Sequence, residues 1–391
     1  MSQSLKNYTI AFVGWNPFQF LHIKHLAQQL PNTVFVLEQR SNNNVKFFSH
    51  EILYNNEIPI IIIPQNMMHT IDGTYDIIIT QTLFTDIHTI TRSKLVMLQY
   101  GYAKEPHNYG TWRALASLCL TYGQYASQKI APYCPIAVTG NPRFALWHDQ
   151  QFHIKAKNSY TKQIDPNKKT ILYMPTWGDL SSFDLYIEAI LSLSDIYNIL
   201  IKLHHNTDFL ETKRVSTLNK KNIHFLGAND DSLELISVCD LVISDYSGAI
   251  FDALYCDKAI VLLDLPDAIL HKSRKIDKYS LEFTQRDTIG IRVSSPRQLY
   301  HTVNAALNNT SDIIQKASIL KQQLFIPGNC ATELTVTALE KLMDNGYPRT
   351  QSQEYIRETV IACYGDKCFS DKIRLMIINS YKYIASYFRF G

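Results

Sequence analysis

Three stretches of this chain end an apolar run in residues able to meet a phosphate. In residues 241–254, LVISDYSGAIFDAL, a short apolar strand passes through a polar turn into a helical run. Ser247 is a good N-cap residue and Gly248 lets a ligand approach the backbone closely. A helix N-terminus at the carboxyl end of a parallel strand offers N–H groups and the positive end of the helix dipole, to which Ser244 and Ser247 add hydroxyls. The competing reading is that Ser247 only caps a helix. In residues 199–206, ILIKLHHN, a buried-type strand stops at Lys202, His204 and His205. A histidine there can donate to a diphosphate or protonate a departing nucleotide; as a solvated loop residue, His205 would do neither. In residues 171–179, ILYMPTWGD, the strand runs into Pro175, Thr176 and Trp177, which hold the base or phosphate of a nucleotide or else pack in an interface.

A different chemistry is offered by residues 98–110, LQYGYAKEPHNYG, which gather Gln99, Tyr100, Gly101, Lys104, Glu105 and His107 around two glycines. If two domains face each other across a cleft, this loop lines the acceptor wall, and Glu105 or His107 is a candidate general base. A charged surface loop is the alternative. The loop at residues 14–22, GWNPFQFLH, with Asn16, is a second acceptor-side candidate. No Asp-x-Asp follows a strand and Asp264-Leu-Pro-Asp267 lacks companions, so neither metal nor cofactor is expected; helix ends, His and Lys neutralise the donor phosphates instead. The absence of G-x-G-x-x-G, Walker and G-x-S-x-G motifs argues against dehydrogenase, nucleotide triphosphatase and esterase chemistry.

The elements that must position these residues follow a βα pattern. Apolar, β-branched runs fall at residues 8–13, 33–37, 58–63, 76–80, 94–98 and 136–138, and again at 170–174, 198–203, 222–226, 241–244 and 259–263, with helical stretches between them. The runs IPIIIIP and YDIIIT are apolar on both faces, which predicts strands inside covered sheets. Residues 151–169 turn polar and lysine-rich, placing a boundary between an acceptor-side Rossmann-like domain, 1–150, and a nucleotide-donor-binding one, 165–345. Residues 267–288 read as irregular and charged, and 296–344 as helical. Residues 350–391 form a helical tail whose last stretch mixes basic and aromatic residues, either packing on the domains or touching an anionic membrane.

At 391 residues the chain suits two domains, and its formal charge of +3 leaves no general nucleic-acid footprint. The seven cysteines are scattered without C-x-x-C spacing, which favours a reducing compartment. With no signal-like or membrane-spanning run, a cytoplasmic protein is expected, peripheral on the membrane's cytoplasmic face if the tail binds lipid.

Taken in order, ILYMPTW, IKLHHN, LVISDYSGAIFDAL and PGNCATELTVTALEKL resemble the CDP-glycerol glycerophosphotransferase family of teichoic-acid and capsule polymer enzymes, which read Y-x-P-T-W, K-L-H-P and S-D-Y-S-S-x-x-F-D. The resemblance runs over residues 95–345 and implies a GT-B fold, two Rossmann-like parallel-sheet domains facing across a cleft, with the donor on the second. By position it implies His204 at the donor phosphates, Ser244, Asp245, Ser247 and Gly248 in the pyrophosphate turn, and Thr176 and Trp177 in the first donor loop, with Lys202 beside them. Gly328 and residues 330–332 fall on the family's Gly-x-Ala-Ser-like element. The implied reaction moves an alditol-phosphate from a CDP-linked donor to a hydroxyl of a surface polysaccharide or lipid-linked acceptor and releases CMP. The sequence departs from the family in reading Gln99-Tyr100-Gly101 where it has Trp-His-Gly, His205 for the proline, and Gly248 for the second serine. These departures keep open a glycosyltransferase that uses a nucleotide sugar in polysaccharide synthesis.

Overall fold

The computed structural model describes residues 4–41, 43–220, 225–271, 273, 277–326 and 329–365. The chain forms two compact units, one from Met1–Tyr100, Glu105–Ala145 and Leu324–Gly391, the other from Gly101–Lys104 and Leu146–Gln323.

The first unit holds β1 (Ile10–Gly14), β2 (Thr33–Gln39), β3 (Ile60–Pro64), β4 (Ile77–Thr80), β5 (Lys94–Leu98), β6 (Leu118–Thr121) and β7 (Ile136–Val138). They make one parallel sheet in the order β3-β2-β1-β4-β5-β6-β7. β1, β4 and β6 are buried throughout, so their continuous apolar runs are those of strands covered on both faces. The run IPIIIIP differs: it is the edge strand β3, with Ile61 and Ile62 exposed. Apolarity on both faces marked it as a strand but carried no information on which neighbours cover it. β6 escaped the sequence reading because LCLT continues an apolar stretch without turn residues to bound it.

The second unit holds β8 (Thr170–Met174), β9 (Asn198–Ile201), β10 (Leu241–Ser244), β11 (Ala259–Leu263) and β12 (Ile291–Val293), parallel in the order β12-β11-β10-β8-β9. Helix Phe183–Ser192 buries Phe183, Tyr186, Ile187 and Ile190, the i, i+3, i+4, i+7 stripe of an amphipathic helix, against Ile171, Tyr173, Leu241 and Ile243. Each such side chain contributes on the order of 2 kcal/mol through removal from water. Of the strand expected at 222–226, residues 221–224 lie outside the described residues; Leu226 forms a single bridge to Lys202. Among the described residues of 267–289 are the short helices Asp267–Leu270, Leu281–Thr284 and Arg286–Ile289.

The helical region expected to complete the second domain is split between the units. Helix Leu299–Asn308 packs on the second sheet, whereas Ala331–Met343 clusters with the first unit. A Cβ added at Gly123 would lie 2.0 Å from the Leu324 carbonyl oxygen, so the returning chain crosses the first unit at a position only glycine allows. Just beyond, the Ile326 N–H donates to the Tyr122 carbonyl at 3.1 Å. Arg349 donates to the carbonyls of Ala114 and Ala116, and Gln353 to that of Ala131. Periodicity identifies such a helix but not the sheet it covers. Of the tail, helix Gln351–Gly365 is described, while the basic, aromatic stretch proposed to touch lipid lies outside the described residues. Among the described residues no helix is long and apolar enough to cross a membrane.

Candidate functional site

Read from β9, the second sheet runs β9-β8-β10-β11-β12, so the strand order reverses between β8 and β10. In open parallel sheets the loops leaving such a pair diverge and open a crevice at the carboxyl edge, where ligands bind. The loops leaving β8 and β10 are the ones that carry Thr176–Trp177 and Asp245–Gly248.

A buried carboxylate joins them. Asp245 is fully buried and accepts from the Thr176 N–H, the Ser182 N–H and the Ser182 hydroxyl, each at 2.8 Å. Burial raises its carboxyl above the ordinary value, and the hydrogen bonds from Ser182 and Thr176 pull it back. Pro175 cannot continue the β8 ladder, so the freed Thr176 N–H turns to Asp245. On the other side Arg286, 4% exposed, donates to the Asp245 carbonyl at 2.9 Å and pairs with Asp264 at 2.9 Å. Asp264, which lacked companions in the sequence, has two, since Arg292 reaches its second oxygen at 2.8 Å. The Ser244 hydroxyl donates to the Met174 carbonyl at 2.6 Å and closes the strand pair. Asp245 and Ser244 therefore shape the turn; their side chains are spent on protein groups.

The Ser247 hydroxyl accepts from the Ala249 N–H at 3.3 Å, but the N-cap of helix Ala249–Tyr255 is Gly248, one residue after the serine expected to cap it. Gly248 has a helical φ of −62°, and an added Cβ would meet only Ala103 at 3.6 Å. The position thus tolerates a side chain, such as the serine that the resembled family carries there.

From β9 come the two histidines. His204 caps helix His205–Leu210, its Nδ1 accepting the Asn206 N–H at 3.1 Å. With Nδ1 used as an acceptor, the neutral ring carries its proton on Nε2, which makes that nitrogen a hydrogen-bond donor. The ring stacks between Trp177 at 6.0 Å and His205 at 4.1 Å. His205 is no solvated loop residue: it is 7% exposed, and burial, with the charges of Lys202 and Lys104, pushes its pKa down to about 3. Lys202 is buried too and donates to the Gly227 carbonyl, holding the bridge from β9 rather than reaching outward. Lys104 was read as an acceptor-side residue, yet Gly101–Lys104 clusters with the second unit. Its N–H donates to Glu282 at 2.8 Å, and Tyr102 packs on Phe251 at 5.6 Å.

Of the remaining acceptor-side candidates, Asn16, Tyr100, Glu105 and His107 stay in the first unit. Asn16 is 1% exposed and its side chain caps helix Pro17–Gln29 through the Gln19 N–H at 2.9 Å. Tyr100 meets Phe18 at 6.0 Å and His22 at 6.3 Å, and His22 contacts the buried Arg143 at 3.1 Å. The sequence named the loop containing His22 but gave no signal for Arg143, 121 positions away. Glu105 is buried and holds Lys129 at 3.3 Å together with the Tyr125 hydroxyl, whereas His107, two residues on, is exposed. Gly101 clusters with the second unit, apart from Tyr100, and its Cβ position faces open space.

Two parallel Rossmann-like sheets, each with its polar residues at the carboxyl edge, make this a protein of the GT-B class. Residues 131–322 match the family described as CDP-Glycerol:Poly(glycerophosphate) glycerophosphotransferase, and the chain is a transferase. Comparison with curated protein sequences finds no match. Among solved structures, the wall teichoic acid polymerase TagF is similar at a TM-score of 0.62 and 15% identity, over 88% of this chain and 90% of that one. S. aureus MnaA, solved with UDP, is similar at 0.54 and 10%, over 86% of this chain and 97% of that one. At these identities the likenesses show the fold.

Proposed function

We propose that the protein transfers an alditol-phosphate, glycerol- or ribitol-phosphate, from a CDP-linked donor to a hydroxyl of a surface-polysaccharide or lipid-linked acceptor, releasing CMP. The observation that supports this most is the Asp245 bracket, which fixes the Thr176–Trp177 loop to the Ser247–Gly248 turn within the segment that matches the family. In this reading the diphosphate lies over the Ser247–Gly248 turn and takes the Nε2 proton of His204 as a hydrogen bond, with Trp177 against the nucleoside. These donors are fixed before the substrate arrives, so they stabilise charge growing on the phosphates without reorganisation. The acceptor hydroxyl attacks the distal phosphorus and the P–O bond to CMP breaks. Its proton passes to a general base, for which exposed His107 is better suited than ion-paired Glu105.

The second reading is a glycosyltransferase in which the same turn binds a nucleotide sugar and attack falls on an anomeric carbon. It is favoured by Tyr100, which stands where the resembled family has an imidazole. A calorimetric screen of CMP, CDP, CDP-glycerol, CDP-ribitol, UDP, UDP-sugars and GDP-sugars, repeated on Ser247→Ala, separates the two. Cytidine ligands should bind best and lose at least tenfold in the variant, the equivalent of one good hydrogen bond to a charged group. Preference for UDP- or GDP-sugars would transfer the assignment to the glycosyltransferase. No nucleotide binding at all would remove the donor site.

A further inference from the structure

Beside the Asp245 bracket the second unit contains a cavity of about 590 Å³, within the range of small-ligand sites. Its walls come from the loop after β8, the segment around residues 211–214 and the loop after β11. One wall is aliphatic: Leu265 is buried, while Leu185 and Ile269 are each left 39% exposed across the opening. The other wall is polar and acidic, with Asp179, Asp184 and Glu211 against Arg214, three carboxylates to one guanidinium. Arg214 is consumed within that wall, pairing with Asp184 and Glu211 at 2.7 Å each. The Gly178 N–H is also taken, by Glu211 at 2.8 Å. Left facing the space are Asp179, exposed and without a hydrogen-bond or ion-pair partner among the described residues, and the hydroxyl of Ser181.

These walls state what the occupant must be. The excess of negative charge repels phosphate, so the cavity is unsuited to the diphosphate itself. A flat ring with apolar faces and an amino group on its edge fits both walls. The cavity also shares its loop with the donor site, since Thr176 and Ser182 are the two ends tied to Asp245, and Gly178, Asp179 and Ser181 lie between them. We infer that this cavity receives the heterocyclic base of the donor nucleotide, with Asp179 as the residue that selects an amino-bearing base. The inference rests on the nucleotide-donor reading above and adds its specificity.

The selection follows from hydrogen-bond polarity. A carboxylate only accepts, so Asp179 pairs with the exocyclic amine of cytosine and opposes the carbonyl that uracil carries in its place. Ser181 adapts to either ring because a hydroxyl donates or accepts, which leaves the choice to Asp179. Discriminating base contacts of this kind are worth about tenfold or more in affinity.

The test is calorimetric titration of CDP, UDP and inorganic pyrophosphate into the wild-type chain, Asp179→Asn and Asp179→Ala. Wild type is expected to prefer CDP over UDP by about tenfold or more. In Asp179→Asn, whose amide can turn its NH2 outward, that ratio should fall to about one or invert, with pyrophosphate affinity unchanged. Asp179→Ala should lose the preference without gaining UDP affinity. If wild type binds CDP and pyrophosphate yet the CDP-to-UDP ratio survives both substitutions, the base lies elsewhere and only this inference falls. If wild type binds none of the three ligands, the donor reading and this inference fall together. Because Asp179 is exposed and pairs with no side chain among the described residues, neither variant is expected to lose its fold.

Discussion

Replacing Asp245 by Asn puts the bracket between the two donor loops to a quantitative test. The carboxylate accepts three hydrogen bonds with both oxygens, Thr176 on one and Ser182 twice on the other. An asparagine that keeps its oxygen on Thr176 turns an NH2 toward the Ser182 N–H, setting donor against donor in a fully buried place. The Ser182 hydroxyl can rotate to accept, so one backbone N–H is orphaned, which costs about 1–3 kcal/mol, and two charge-assisted bonds become neutral. Part of this is offset because burial raises the Asp245 carboxyl, so that its ionisation costs the fold increasingly as pH rises above the ordinary value of 3.8, a cost asparagine escapes. The net expectation is a loss of about 2–3 kcal/mol, lowering the melting temperature by roughly 5–10 °C. Asp245→Ala orphans all three donors and should lose about twice as much. Thermal unfolding followed by circular dichroism, with urea titrations to check that the denaturant slope is unchanged, measures both. CDP affinity should fall in parallel, since the loop bearing Trp177 is released. A melting temperature within a degree of wild type, or an alanine variant no worse than the asparagine one, would refute the bracket.

Three further expectations concern His205, Glu105 and His107. His205 has a folded pKa of about 3 against 6.5 unfolded, so on acidification the unfolded chain takes up its proton first and stability is lost as pH falls below 6.5. At pH 5 the loss amounts to about 2 kcal/mol. The difference in urea stability between pH 7 and pH 5 should therefore shrink by about that amount in His205→Gln, and an unchanged difference would show that His205 titrates normally. Glu105→Gln should lose about 1–2 kcal/mol of stability through its pairs with Lys129 and Tyr125 while keeping turnover within about tenfold. His107→Ala should lose turnover by 10²-fold or more at wild-type stability. Turnover losses in the reverse order would make Glu105 the base.

The parts of this architecture that were legible in the sequence are those with local causes. Buried parallel strands announce themselves as unbroken apolar runs, and a strand that ends just before Pro175, His204 or Ser247 marks the carboxyl edge where a ligand can sit. What could not be read are the long-range bonds that give those residues their roles. Asp245 looked like a ligand-binding group because it sits in the turn, yet its partners Thr176 and Ser182 are more than 60 positions away and absorb its whole charge. Lys202 reads as a donor group because it stands at the end of the β9 run, and the sequence gives no sign that its ammonium bonds the Gly227 carbonyl. Arg286 gave no signal in a segment that read as irregular, though it supports the turn from behind. Lys104 carries a positive φ of 58°, a local bend that sequence periodicity does not reveal, just where the chain passes from the second unit back to the first.

That passage bears on how the protein can be made. Most multidomain chains finish one domain before starting the next as they leave the ribosome. Here the second unit, its four early residues Gly101–Lys104 included, is complete once position 323 has been synthesised, while the first still awaits the segment that covers Gly123. The domain begun first is finished last, and its sheet must wait through nearly two hundred residues of synthesis with that surface unsealed. A released chain truncated after residue 323 should thus hold a protease-resistant second unit and a first unit that is still open to cleavage.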